Sequence, residues 1–416
     1  MSKKHFLLFC LLLLAFIVVS KLKAADQPWI KSLKVYSNND EKSLPILIFN
    51  EDKQDHLRIE FDIKAPYEPS FNIVFRFCDR NWNPTKNIFY SNFGQDRAYE
   101  LDFEKLPSTI TDADYHFNGT FPDTRGQVSF PFSGKWRLYI TDSQDTSIVY
   151  ASAKFIVVRD TIAMYSSLKK ESLEDKSYFP TDLSKVFNLT TSFTLPEDFF
   201  VTDLYGIEII ENHKIDYPYF VDRSGNTQNR YYNWDGNRKF SFSSKELRPG
   251  KNYRQVDLRN INLFNSKNVN AHLDGVETSR FFTEGKKDLN GASILTYYKD
   301  ENADYLNVNF RLRVDLDYGK KVFIVGAFSN WDVLPEYELK NDGGLYSIII
   351  NLKRGAYDYQ YVTGYLENGK VSNIDWYELE GNSWSTVNNY YVFLFYSDPA
   401  KGGYDRIIGF QKVTSK

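Results

Sequence analysis

Cysteine is almost missing from this chain: of two in 416 residues, Cys10 lies in an apolar leader and Cys78 alone remains beyond it. With no internal disulfide to close, a chain of this length must be held by its core. Methionine occurs twice, alanine is sparse, and no long segment repeats apolar residues at i, i+3, i+4 and i+7, so nothing demands a helix. The five histidines, at 5, 56, 116, 213 and 272, are scattered and form no His-Glu-x-x-His, which argues against a histidine metal site. There is no Gly-x-Ser-x-Gly elbow and no Gly-x-Gly-x-x-Gly loop. Gly364-Tyr365-Leu366-Glu367-Asn368-Gly369-Lys370 has phosphate-loop spacing, but Val371 replaces the metal-binding hydroxyl, and Asn368-Gly369 reads better as a hairpin turn. Asp375 with Glu378 or Glu380 could face one glycosidic bond, yet nothing fixes their separation, and among 54 carboxylates solvated loop acids are the ordinary reading. The expectation is a protein with no cofactor, no metal and no catalytic residues.

Excess positive charge is also lacking. Residues 1–24 carry Lys3 and Lys4 ahead of 14 unbroken apolar residues, 6–19, with small residues at Ala24 and Ala25, and they read as a signal peptide too short to span as a helix. Its four lysines leave 47 basic against 54 acidic residues beyond it, a net charge of −7, so nucleic acid is not an expected partner.

Aromatics are what the chain has in quantity, 33 Phe and 30 Tyr, and they favour sheets. The expected fold is all-β: tandem immunoglobulin-like β-sandwiches after the signal peptide, with domains at 25–158, 159–300 and 301–416. In the first, segments 30–36, 57–63, 71–77, 134–141 and 154–158 alternate, and Trp136, Leu138 and Ile140 share one face. Cys78 falls off the apolar face of its strand and reads as a small packed hydrophobe. The middle domain offers 186–195, 204–210, 217–221 and 239–243 as strands, and 222–230 as an exposed hairpin tip. Asp160-Thr161-Ile162 matches a short O-glycosylation signal on an exposed linker, and 288–291 marks the way into the third domain. There 322–325 reads as a strand covered on both faces, Gly326 as a sharp bend, and 357–361 as a strand that stacks three tyrosines on one side.

Two resemblances attach to these residues. The strand and turn Lys321-Val322-Phe323-Ile324-Val325-Gly326-Ala327-Phe328-Ser329-Asn330-Trp331 and the later tyrosine strand resemble the immunoglobulin-like carbohydrate-binding modules of starch and glycogen enzymes, over about forty residues. The whole chain resembles the plug protein of the Bacteroidetes type IX secretion system. That likeness is carried by Ser133-Gly134-Lys135-Trp136-Arg137-Leu138, Asn252-Tyr253-Arg254-Gln255-Val256-Asp257-Leu258-Arg259, the 321–331 stretch, Arg354-Gly355-Ala356-Tyr357-Asp358-Tyr359-Gln360-Tyr361 and Tyr404-Asp405-Arg406-Ile407-Ile408-Gly409. Gln255 and Val256 stand where that family has bulkier aromatics. The plug resemblance implies a non-enzymatic periplasmic subunit that docks on the outer-membrane translocon barrel, closes its periplasmic opening and meets the membrane only through the barrel. The module resemblance implies instead a cell-envelope protein that binds a glycan, with Trp331, Trp376 and Trp384 as ring-stacking candidates. Trp376 and Trp384, on the 370–386 loop, and Trp82, beside the Asn83-Pro84 turn, are the candidate partner-binding residues; for Trp82 a core role is the stronger reading.

Overall fold

The computed structural model describes residues 27–159, 161–173, 182–273, 275–281, 287–316, 319–399 and 402–415. The expected signal peptide therefore lies outside the described residues. The described residues are all-β, and six sheets among them pair into three sandwiches.

In the first sandwich one sheet runs Trp29–Ser37, Leu57–Lys64, Tyr115–Phe121, Glu104–Lys105, and the other runs Ile46–Phe49, Val149–Arg159, Gly134–Asp142, Phe71–Cys78, Arg97–Ala98. Alternation drives the packing: Leu57, Ile59, Phe61 and Ile63 face Phe75, Trp136, Leu138 and Ile140 in one core. The Trp136 ring is buried, and its Nε1–H donates to the Phe132 carbonyl at 3.0 Å. Cys78 is buried, and burial pushes its thiol up to about 12.

The middle sandwich corrects the expected boundaries. One of its sheets runs Met164–Ser172, Lys185–Thr194, Lys239–Leu247, Arg230–Trp234. The other runs Tyr219–Asp222, Leu204–Glu211, Asn389–Asp398, Tyr404–Thr414, so the last hairpin belongs here and not to a 301–416 domain. Alternation reports that 389–414 is strand, but the partner that completes its ladder, Leu204–Glu211, lies nearly two hundred residues upstream. The expected hairpin at 222–230 is likewise a crossing between the two sheets, since Tyr219–Asp222 and Arg230–Trp234 pair with different neighbours.

Inserted between Lys239–Leu247 and Asn389–Asp398 is the third sandwich, built on Gly355–Glu367. That strand takes Arg254–Asp257 and Lys370–Asp375 along one edge, and Ser293–Leu295 and Lys321–Gly326 along the other. The facing sheet centres on Tyr305–Arg313 and Leu345–Lys353. Arg254–Asp257 is already part of this sandwich, so 288–291 lies inside it and is no linker. The Asp358 carboxylate fixes that segment by accepting from the Leu289 and Gly291 amides at 2.6 and 2.9 Å. Val322 to Val325 are fully buried, with Val322 and Ile324 in one cluster and Phe323 and Val325 in another, which is the coverage on both faces that their composition predicts. Gly326 is extended rather than bent; a Cβ there would meet the Asp358 carbonyl at 2.5 Å, so close approach requires the glycine. The Asn368-Gly369 turn has φ of 51° and 73°, the left-handed pair of a type I′ hairpin.

Candidate functional site

The polar residues that would draw attention as chemistry are spent on seams between the sandwiches. At the first seam Asp62 accepts from His116 Nδ1 and Lys353 Nζ, both at 2.7 Å, and from the Tyr305 hydroxyl at 2.8 Å. Burial would raise the Asp62 carboxyl, but the His116 hydrogen bond and the Lys353 charge outweigh it and hold the group below the usual carboxylate range. His116 stacks on Tyr298 with ring centroids 3.8 Å apart. Aspartate, histidine, lysine and tyrosine in an open cleft would be a catalytic constellation. Here Asp62 and Lys353 side chains are 1% and 3% exposed, no reactant reaches them, and the group clasps the first sandwich to the third.

The second seam joins the first sandwich to the middle one. Lys135 Nζ reaches Glu208 Oε2 and the Arg80 carbonyl, both at 2.7 Å, with the two charged side chains 1% and 0% exposed. Burial pushes the Glu208 carboxyl up while Lys135 pulls it back. Trp82 lies 4.6 Å from that ammonium, within an apolar cluster shared by Ile156, Ile210 and Phe393. Ser133 Oγ donates to the Ile407 carbonyl at 2.7 Å, and Tyr404 packs into the first sandwich's core against Phe77 and Tyr90. The motif Ser133 to Leu138 thus meets the motif Tyr404 to Gly409 in space.

The third seam, between the middle and third sandwiches, takes Trp376 and Trp384. Trp376 packs edge-on to Tyr217 at 4.9 Å with Lys214 over its ring at 4.7 Å. Trp384 donates Nε1–H to the Val186 carbonyl at 3.1 Å and packs on the middle core. Trp331 is buried, its Nε1 donating to the Gly291 carbonyl at 2.6 Å. Trp82, Trp376 and Trp384 are therefore not brought together on one exposed partner-binding face; each is committed to a boundary between sandwiches. Sequence showed aromatic residues on loops, but a loop that crosses between domains can pack its aromatic against a neighbouring sandwich, burying Trp82 and half-burying Trp376 and Trp384.

The acidic trio behaves the same way. Glu380 accepts from Arg254 Nε at 2.7 Å, Glu378 takes Lys320 at 2.8 Å, and Asp375 caps the Tyr377 and Glu378 amides. Arg254 also holds Glu277, which accepts from the Tyr359 and Tyr361 hydroxyls. Burial raises the Glu277 carboxyl, but the His272 hydrogen bond and the Arg254 charge overcome that and bring it to about 2. Of the glycosylation signal, Asp160 lies outside the described residues; Thr161 is exposed, and Ile162 is tied by its amide to the Ile408 carbonyl. Among the described residues no three His, Cys, Asp or Glu side chains gather as a metal site, and no helix is long and apolar enough to cross a membrane.

Two features stay open. One is a cleft of about 960 Å³ where all three sandwiches meet, lined by Trp29 to Val35, Arg137, Asp216 and Ile348 to Leu352. The other is a tip of the first sandwich where Ile88, Phe89 and Phe93 are 66%, 79% and 74% exposed. The tip is rigid: Asn87 Oδ1 caps the Phe89 amide at 3.1 Å, Asn92 bonds the Ser129 carbonyl at 3.0 Å, and Tyr90 is pinned between Phe77 and Tyr404. Sequence reasoning passed it over because 88–93 neither alternates nor carries a motif; its signal was an apolar run between polar turns.

No curated protein gives a significant match to the chain. Among solved structures, a hypothetical protein from Parabacteroides merdae ATCC 43184 superposes with a TM-score of 0.74 at 17% identity, covering 94% of this chain and 98% of that one, which establishes a shared fold. A bacterial ice-binding adhesin aligns only at a TM-score of 0.14 and 8% identity, over 94% of this chain and 96% of that one, and supports no argument. Residues 30–159, the whole first sandwich, match the family model for the type 9 secretion system plug protein 1st domain. The first sandwich is thus similar to the first domain of type IX secretion plug proteins.

Proposed function

We propose that this protein is a non-enzymatic plug subunit of the type IX secretion translocon, a periplasmic body that docks on the outer-membrane barrel and closes its periplasmic opening. The observation that carries the reading is the interlock. Three sandwiches are tied by buried ion pairs across their seams and by a chain that leaves the middle sandwich, builds the third and returns. A stopper must not deform under a solute gradient, and buried ion pairs across the seams suit that task. The exposed tip at Ile88, Phe89 and Phe93 supplies rigid apolar anchors of the kind that dominate docking energies. The glycan-binding alternative loses its stacking surface, because Trp331 is buried and Trp376 and Trp384 are engaged within the protein.

The test is a deletion strain. Without the plug, small polar solutes or a large antibiotic enter faster than in wild type, and the leak disappears when the barrel gene is also removed. Unchanged uptake, with loss of polysaccharide binding, would overturn the reading in favour of the glycan-binding one.

A further inference from the structure

A recess smaller than the central cleft lies where the middle sandwich meets the third. It encloses about 260 Å³ between Tyr219 of Tyr219–Asp222, Arg230 at the head of Arg230–Trp234, Lys245 and Glu246 of Lys239–Leu247, Arg248, and Tyr377 from the loop after Lys370–Asp375. The ladder brings its cations together: Arg230 is in register with Ser244, the neighbour of Lys245, and the Lys245 amide donates to the Asn229 carbonyl at 2.7 Å. Like charges set close on paired strands repel. Elsewhere the chain relieves such charge with carboxylates. Lys31, Lys34 and Lys154 in the central cleft are matched by Asp112, Glu41 and Asp216, and the seam cations Lys135 and Lys353 by Glu208 and Asp62. Arg230, Lys245 and Arg248 have no carboxylate partner among the described residues. Each lies instead over an aromatic ring, 5.7 Å from Tyr219, 5.4 Å from Tyr231 and 5.9 Å from Tyr377. Glu246, the one carboxylate among the described residues that line the recess, accepts from Asn229 Nδ2 at 2.8 Å.

We propose that this recess binds a phosphate monoester. Three cations against one carboxylate leave two positive charges, which a monoester at about −1.5 to −2 near pH 7 neutralises. The two guanidiniums present paired N–H donors that match phosphate oxygens. Hydroxyls complete the set. Tyr377 donates to the Arg248 carbonyl at 3.0 Å, and Tyr219, 3.3 Å from the Tyr377 hydroxyl, has a proton that can turn to a phosphate oxygen. Burial raises the Tyr219 hydroxyl to about 12, so it stays a donor. The volume falls below the ~300 Å³ at which drug-sized sites begin, which suits a phosphate carried on a small polyol or on a lipid headgroup.

The test uses the full chain at constant ionic strength with two probes: glycerol 3-phosphate, and vesicles of phosphatidylcholine containing phosphatidic acid. Calorimetric titration should show saturable binding that raises the melting temperature and is weakened at least about tenfold by Arg230→Gln and by Arg248→Gln, both changes at exposed residues. Lys239→Gln, at an exposed lysine on the same strand but outside the recess, should leave the affinity unchanged and so separates the site from general charge. Dimethyl phosphate, a singly charged diester, should bind at least about tenfold more weakly than glycerol 3-phosphate. Binding of glycerol 3-phosphate assigns a soluble monoester as the source, whereas vesicle binding without it, lost in the same two arginine variants, assigns a lipid headgroup. No saturable binding of either probe, unaltered affinity in both arginine variants, an equal loss in Lys239→Gln, or a diester bound as tightly as the monoester would each overturn the proposal.

Discussion

The first sandwich draws all nine of its strands from 29–159, whereas the middle one takes six from 164–247 and its last two from 389–414. Both bury the same kind of core, alternating aliphatic and aromatic residues between two sheets. The difference lies in when each core can close. In the first every partner strand is within about 130 residues of chain, while in the middle Leu204–Glu211 pairs on one side with Tyr219–Asp222 and on the other with Asn389–Asp398. Continuous and interrupted sandwiches therefore carry equal packing but unequal loop-closure cost.

Removal of residues 389–416 should break the comparison most completely. The middle sandwich loses two of its eight strands and its Tyr390, Val392 and Leu394 core, while the first keeps all of its own strands. Limited proteolysis of the truncated protein is expected to leave a resistant fragment near 29–159 and to digest the middle. A middle domain as resistant as in the full chain would contradict the interlock.

Single substitutions come next. Trp136→Ala opens a cavity in the continuous core and should cost roughly 3–5 kcal/mol. Lys135→Met alone strands Glu208 without its cation and should cost about as much, roughly 3–5 kcal/mol, whereas Lys135→Met with Glu208→Leu should recover most of the loss. Urea denaturation of the single and double variants decides it, and a double variant no better than Lys135→Met would show that the ion pair itself, and not its desolvation, carries the seam.

A smaller effect sharpens the view of the third sandwich. Asp358 is buried, and burial raises its carboxyl to about 7 despite three hydrogen-bond donors. A folded value above the unfolded one of about 4 means the native state binds the proton more tightly. Stability from this group is therefore full below about pH 4 and is lost as pH rises through about 7. Asp358→Asn stays uncharged and can keep the two backbone bonds, so its melting temperature should gain roughly 2–4 °C on wild type between pH 5 and pH 8. A gap that does not widen with pH would show that Asp358 stays charged throughout.

The smallest expected effect is on stability alone. Phe89→Asp on the exposed tip should change it by less than about 0.5 kcal/mol, yet reduce recovery of the barrel in a pull-down.

Much of this was legible in the sequence. Alternation located the strands at 57–64, 134–142 and 204–211 within a residue or so, and put Trp136 on a core face and the three tyrosines, which prove buried, on one side of their strand. What periodicity cannot carry is partnership. Asn389–Asp398 reads as a strand wherever it pairs, and only the completed ladder with Leu204–Glu211 assigns it to the middle sandwich. The packing of Trp82, Trp376 and Trp384 was hidden for a related reason: their local sequence does not reveal that residues of another sandwich pack on each.

The late arrival of Tyr404–Thr414 has a consequence for how the protein is made. A chain is made from its N-terminus, so the first sandwich can form while the middle one waits with an open flank until the third is complete and the last hairpin follows. Tyr404 then enters the first core and Ile407 takes the Ser133 hydroxyl, which welds the newest segment to the oldest. A chain broken anywhere between leaves an unclosed flank open to proteolysis, so the topology acts as an inspection of completeness.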